Sequence, residues 1–173
     1  DGTKNYRITE LKAFDYKGVK GQVVVLDSDG KLVQETEDGE KPSIEDRQIF
    51  VRVVSDANGN IPAGTLMPIT DAGICAQSTS IIENNDHIYL FWNQNGNIKC
   101  ASDFIPTTQD GYQEWCKCAG GLGCYTLLSA TDSLAVDSKF RVAMNQKGKG
   151  ILLWKNSDGT QFSDDSLASQ INA

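Results

Sequence analysis

The chain has 173 residues, 39% of them hydrophobic, with 16 glycines and a formal net charge of −7 at pH 7. This length suits one domain with a real core, residues 1–173. The acidity argues against nucleic acid and against an anionic membrane surface as partners, since both demand clustered Lys and Arg. Lys17, Lys20, Lys147 and Lys149 are scattered among glycines and read as solvated turns rather than a binding stripe. No apolar run approaches the roughly 20 residues of a membrane-crossing helix, so no membrane insertion is expected of these residues. A start at Asp1 rather than Met is expected of a processed mature form or an expressed fragment.

Asn5–Leu11 reads as a first strand, with Tyr6, Ile8 and Leu11 towards an apolar side. Gly18 and Gly21 lead into Gln22–Leu26, a β-branched run too short for a helix. Asp27-Ser28-Asp29-Gly30 should turn it into a partner at Lys31–Glu35, a hairpin signature. Residues 35–46 form an acidic stretch expected to be a solvated loop. Gln48–Val54 is the next strand. Pro62 and Pro68 make the segment after it an edge or connecting piece, because proline cannot donate to a central ladder. Ile74–Ile82 and His87–Trp92 are strands joined by a turn at Glu83-Asn84-Asn85-Asp86. Further on, Phe140–Met144 and Ile151–Trp154 pair across the glycine-rich turn at 146–150, with a short helix expected near 132–139. Ser163 followed by Asp164 and Asp165 predicts the N-cap of a short C-terminal helix.

Four strand ends share one grammar, an apolar run followed by Asx or Ser residues and then Gly, as in Val-Val-Val-Leu-Asp-Ser-Asp-Gly and Tyr-Leu-Phe-Trp-Asn-Gln-Asn-Gly. Their irregular spacing excludes a fixed-period repeat, and hairpin turns explain them. Asp27-x-Asp29-Gly30 opens like a calcium loop, but no Glu falls where an EF-hand needs its bidentate ligand.

Five cysteines stand at 75, 100, 116, 118 and 124. Cys116-x-Cys118 is too tight for a zinc knuckle, and the sole histidine, His87, lies apart from the cluster. No Cys-x-x-Cys supports redox chemistry. The preferred reading is disulfides: Cys118 with Cys124 across Ala-Gly-Gly-Leu-Gly, Cys116 on a strand reaching Cys100 or Cys75, and one thiol left over. Two such bridges would contribute about 2–4 kcal/mol each. The late pair resembles that of a pilin-like globular domain; the long N-terminal helix of such proteins has no counterpart here, and no residue role is carried over.

The fold expected is mostly β, an antiparallel β-sandwich of about 8–10 short strands with a short C-terminal helix, stapled by disulfides. No phosphate-binding glycine loop, metal cluster or nucleophile with its base stands out, so no catalytic residue, metal or cofactor is expected. The function expected is that of a non-catalytic extracellular or cell-surface module, such as a filament subunit or adhesin domain. It would self-associate or bind another surface protein through the N-terminal segment 1–17, with Tyr6, Ile8 and Leu11 meeting a neighbouring sheet edge. The alternatives are a carbohydrate-binding module using Trp92, Trp115 or Trp154, and a small secreted hydrolase.

Overall fold

The computed structural model describes residues 8–27, 47–71, 76–94, 97–117, 127–129, 140–145, 150–155 and 161–164. Strands β1 (Ile8–Tyr16) and β2 (Val19–Asp27) form a hairpin. Its two turn residues, Lys17 and Gly18, both hold positive φ, 48° and 86°. That backbone shape matches the right-handed twist of the strands it joins. β3 (Arg47–Asp56) lies on the other side of β2, with Val19 opposite Asp56 and Asp27 opposite Arg47. The short β4 (Leu66–Pro68) closes the sheet, which has the order β1-β2-β3-β4. Pro68 sits on an edge strand, as its missing N–H requires.

A second four-stranded sheet runs β5 (Ala76–Asn84), β6 (His87–Gln94), β7 (Asn97–Ser102) and β8 (Leu127–Ser129). Asn85 and Asp86, φ 49° and 65°, make the β5–β6 turn. A three-stranded sheet pairs β10 (Gly150–Lys155) with β9 (Phe140–Met144) on one side and β11 (Gln161–Asp164) on the other. Every strand pairing described is antiparallel.

One short helix, α1 (Gln109–Lys117), occurs among the described residues. Thr108 caps it: its Oγ1 accepts from the Gly111 N–H at 3.1 Å, and its carbonyl accepts from Tyr112 N–H at 2.9 Å. Asp110 places a negative charge in the first turn, where the helix dipole favours it. Tyr112 and Trp115, three residues apart, face the core. Two expectations are therefore corrected. Cys116 lies on a helix, not a strand. The expected C-terminal helix does not begin at Ser163, because Ser163 and Asp164 pair with Leu153 and Leu152 of β10. A strand edge supplies backbone partners for the whole of Gln161–Asp164, whereas an N-cap satisfies one or two donors.

The main core draws on both four-stranded sheets. Val19, Val23 and Val25 of β2 and Ile49, Val51 and Val53 of β3 meet Ile88, Leu90 and Trp92 of β6, with Phe104, Ile105 and Trp115 closing one end. Phe14 meets Phe104 edge-on, with centroids 6.1 Å apart and planes at 77°. A second buried cluster lies on the other side of β6 and β7: Tyr89, Phe91, Ile98 and Cys100 pack with Phe140 of β9. From Ile88 on, β6 is consequently buried on both faces, which explains its unbroken apolar run Ile88-Tyr-Leu-Phe-Trp. The predicted partner strand 31–35, the acidic stretch 35–46 and the helix near 132–139 lie outside the described residues.

Candidate functional site

A cleft of about 610 Å³ opens where β1, β5, β9 and the start of β3 come together. Its floor is an irregularity in β5. The pairing of β5 with β6 shifts register between Gln77 and Ser80, and Ser78 adopts φ 56°. Such a bulge turns backbone N–H groups out of the ladder, and they need other acceptors. Glu10 of β1 provides them. One carboxylate oxygen accepts from Ser78 N–H at 2.5 Å. The other accepts from Thr79 N–H at 2.9 Å and from the Thr79 hydroxyl at 3.0 Å. Thr79 and Gln77 are buried, so this one side chain ties the edge of the first sheet to the edge of the second.

The cleft walls are cationic. Lys12 of β1, Arg47 of β3 and Arg141 of β9 line it, and Glu10 is the single carboxylate among the lining residues. Arg47 donates to the Gln77 side-chain carbonyl. The Arg141 guanidinium donates to the Phe140 carbonyl at 3.1 Å. Register explains Lys12: it opposes Val23, an inward residue of β2, so it points towards the inner side of the sheet just where the core gives way to the cleft. Nothing in the sequence alone brings Glu10, Gln77 and Arg141 together. The signal that was available is the pair of acidic and basic residues in an otherwise alternating strand, Glu10 and Lys12.

At another corner, His87 Nδ1 lies 2.7 Å from Asp103 Oδ2, and the Asp103 Oδ1 accepts from Ile88 N–H at 3.3 Å. In the sequence His87 stands apart from the cysteines, with no partner indicated. The β6–β7 register, Tyr89 opposite Ser102, is what carries Asp103 to it. Both side chains are about half exposed. Among the described residues no serine hydroxyl or thiol bonds His87.

The cysteines need a correction. Cys100 and Cys116 are both free, Cys100 buried in the second cluster and Cys116 exposed on α1, so the bridge expected from Cys116 to Cys100 or Cys75 is absent. The helix explains it: Cys116 follows the inward Trp115 by one residue, a rotation of about 100°, and so faces away from the core. Burial pushes the Cys100 thiol up to about 12, which makes it unreactive near neutral pH. Cys75, Cys118 and Cys124 lie outside the described residues.

Of the tryptophans, Trp92 is completely buried and its Nε1 donates to Gln94 at 3.0 Å, while Trp115 is 6% exposed. Neither offers a ring face on which a sugar could stack. Trp154 belongs to β10. Of the N-terminal trio, Tyr6 lies outside the described residues, and Ile8 and Leu11 are 57% and 49% exposed. Phe14 and Tyr16 carry the burial of this strand.

Comparison of the chain with protein-family models, with curated proteins and with solved structures finds no match.

Proposed function

We propose that the protein is a non-catalytic structural module that works by assembly, acting at the cell surface or outside the cell, with a second copy of the chain as partner. The observation that supports this most directly is an apolar row across the outward face of the first sheet. Val23 and Val25 point into the core, so Val24 between them points out. Leu11 opposes Val24, Val24 opposes Phe50 and Phe50 opposes Pro68, which gives a row four strands wide. Ile8, opposite Leu26, stands on the same face, and so does Leu66, opposite Arg52. Ile8, Leu11 and Leu66 are each about half exposed or more. Val24 in the middle of the row is only 4% exposed and Phe50 is half-buried, so the exposed apolar side chains stand on the edge strands β1 and β4. Exposed apolar side chains grouped on one sheet face are candidates for contact.

The manner of contact differs from strand donation. Residues 8–16 already pair with β2 of the same chain. Lys12 is an inward-pointing charge on an edge strand, a device that discourages indiscriminate ladder pairing. Contact through the outward Ile8 and Leu11 is therefore preferred over contact through backbone hydrogen bonds. Location outside the cell rests on the three remaining cysteines, above all Cys118 with Cys124. Negative-stain electron microscopy of the wild type and of a variant with Ile8→Lys and Leu11→Lys tests the reading. Assemblies are expected from the first and lost in the second; equal assembly by both, or none by either, would count against it.

A further inference from the structure

We infer that the cleft between β1, β5 and β9 is a binding site for a small organic anion, independent of any self-assembly. Three cationic side chains line it against one carboxylate, in a chain whose overall charge is −7. That local reversal of sign is what an anion site requires, since like charge elsewhere on the surface does not hold such a patch together. The single carboxylate does not compete for the cations. Both Glu10 oxygens are engaged by the bulge at Ser78 and Thr79. The guanidinium of Arg141 makes one local hydrogen bond, to its neighbour's carbonyl, and retains further donors in a fork that suits carboxylate or phosphate oxygens.

The shape is as specific as the charge. A volume of about 610 Å³ falls within the range of small-molecule sites, roughly 300–1,000 Å³. Phe140 contributes apolar wall, and the polar groups of Gln77 and Ser78 stand beside it. The lining groups come from four strands, β1, β3, β5 and β9, so they converge only in the folded chain. Glu10 fixes the bulge that forms the floor, and acts as a positioning residue rather than a contact to the anion.

The test uses the full chain, 15N-labelled, titrated with D-glucuronate, inorganic phosphate and D-glucose, the last being an uncharged counterpart of the first. Saturable shifts of the Ser78, Thr79 and Arg141 amides with an anion, weakened by added NaCl and absent with glucose, are expected. Binding of glucuronate alone marks a carboxylated ligand with a sugar-sized body. Binding of phosphate alone marks a phosphate head group, and either supports the site. Lys12→Ala and Arg141→Ala alter exposed residues, and each is expected to weaken binding on the order of tenfold with amide dispersion unchanged. No saturable shift with either anion, equal response to glucose, or undiminished binding by the double variant would overturn the inference.

Discussion

Replacing Glu10 with Ala probes the joint between the two four-stranded sheets. The wild-type carboxylate accepts three hydrogen bonds, from the Ser78 and Thr79 backbone N–H groups and the Thr79 hydroxyl, at 2.5, 2.9 and 3.0 Å. Thr79 is 2% exposed, so its two donors lose their acceptor where water reaches them poorly. A buried donor left unsatisfied costs about 1–3 kcal/mol. Ser78 is only half-buried, and water entering the open cleft offsets part of its loss. The expected destabilisation is about 2–4 kcal/mol, or roughly 4–16 °C in Tm for a domain of this size. Glu10→Gln keeps one acceptor oxygen but sets an amide N–H₂ against backbone donors, and should fall between Ala and wild type. Urea denaturation followed by tryptophan fluorescence reads the effect, because Trp92 and Trp115 report on the core next to this joint. A change below about 0.5 kcal/mol for Glu10→Ala, the range of ordinary surface substitutions, would refute the argument that this carboxylate holds the bulge.

Gly21→Ala should be costly despite its small size. A Cβ there would lie 2.5 Å from the Phe14 ring and 2.7 Å from the Arg52 carbonyl oxygen. The expected loss is about 1–3 kcal/mol, seen as a lower urea midpoint, and a neutral result would mean that the ring moves freely. Asp56 gathers the N–H groups of Asn58, Asn60 and Ile61 at 2.8, 2.8 and 3.0 Å. Desolvation pushes its carboxyl up, but these N–H groups together hold it below the ordinary 3.8. Its contribution is therefore complete above that value and is lost as pH falls through the lower folded-state value. Asp56→Ala should cost about 1–2 kcal/mol at pH 7, with the gap to wild type closing on acidification; a gap that widens in acid would contradict the sign. Alkylation at pH 8 followed by peptide mapping should modify Cys116 and spare Cys100 until the chain is unfolded, and rapid modification of native Cys100 would contradict its burial.

The legible parts of the fold are those set by local pattern. The turn at Asn85 and Asp86 could be read because Asn and Asp tolerate positive φ, and β3, β6, β9 and β10 were visible as short apolar runs. The first hairpin was seen only in part. Its turn places Lys17 at φ 48°, a residue with no preference for that conformation. The helix at Gln109–Lys117 is missed because the Cys116-x-Cys118 spacing places Cys116 on a strand. Thr108 as cap, Asp110 in the first turn and the Tyr112–Trp115 spacing were nevertheless present in the sequence. The cleft was illegible for a different reason. Glu10 and Thr79 are 69 residues apart, and their meeting depends on how one sheet edge lies against another, which no local pattern encodes.

Self-association is proposed to run through the outward face of the first sheet. Sedimentation velocity of the full chain across a wide concentration range tests it most directly. Concentration-dependent growth is expected for the wild type, and a single monomer boundary for the variant bearing Leu11→Lys and Leu66→Lys. A wild-type protein that stays monomeric at every concentration, or a variant that associates as the wild type does, would contradict it.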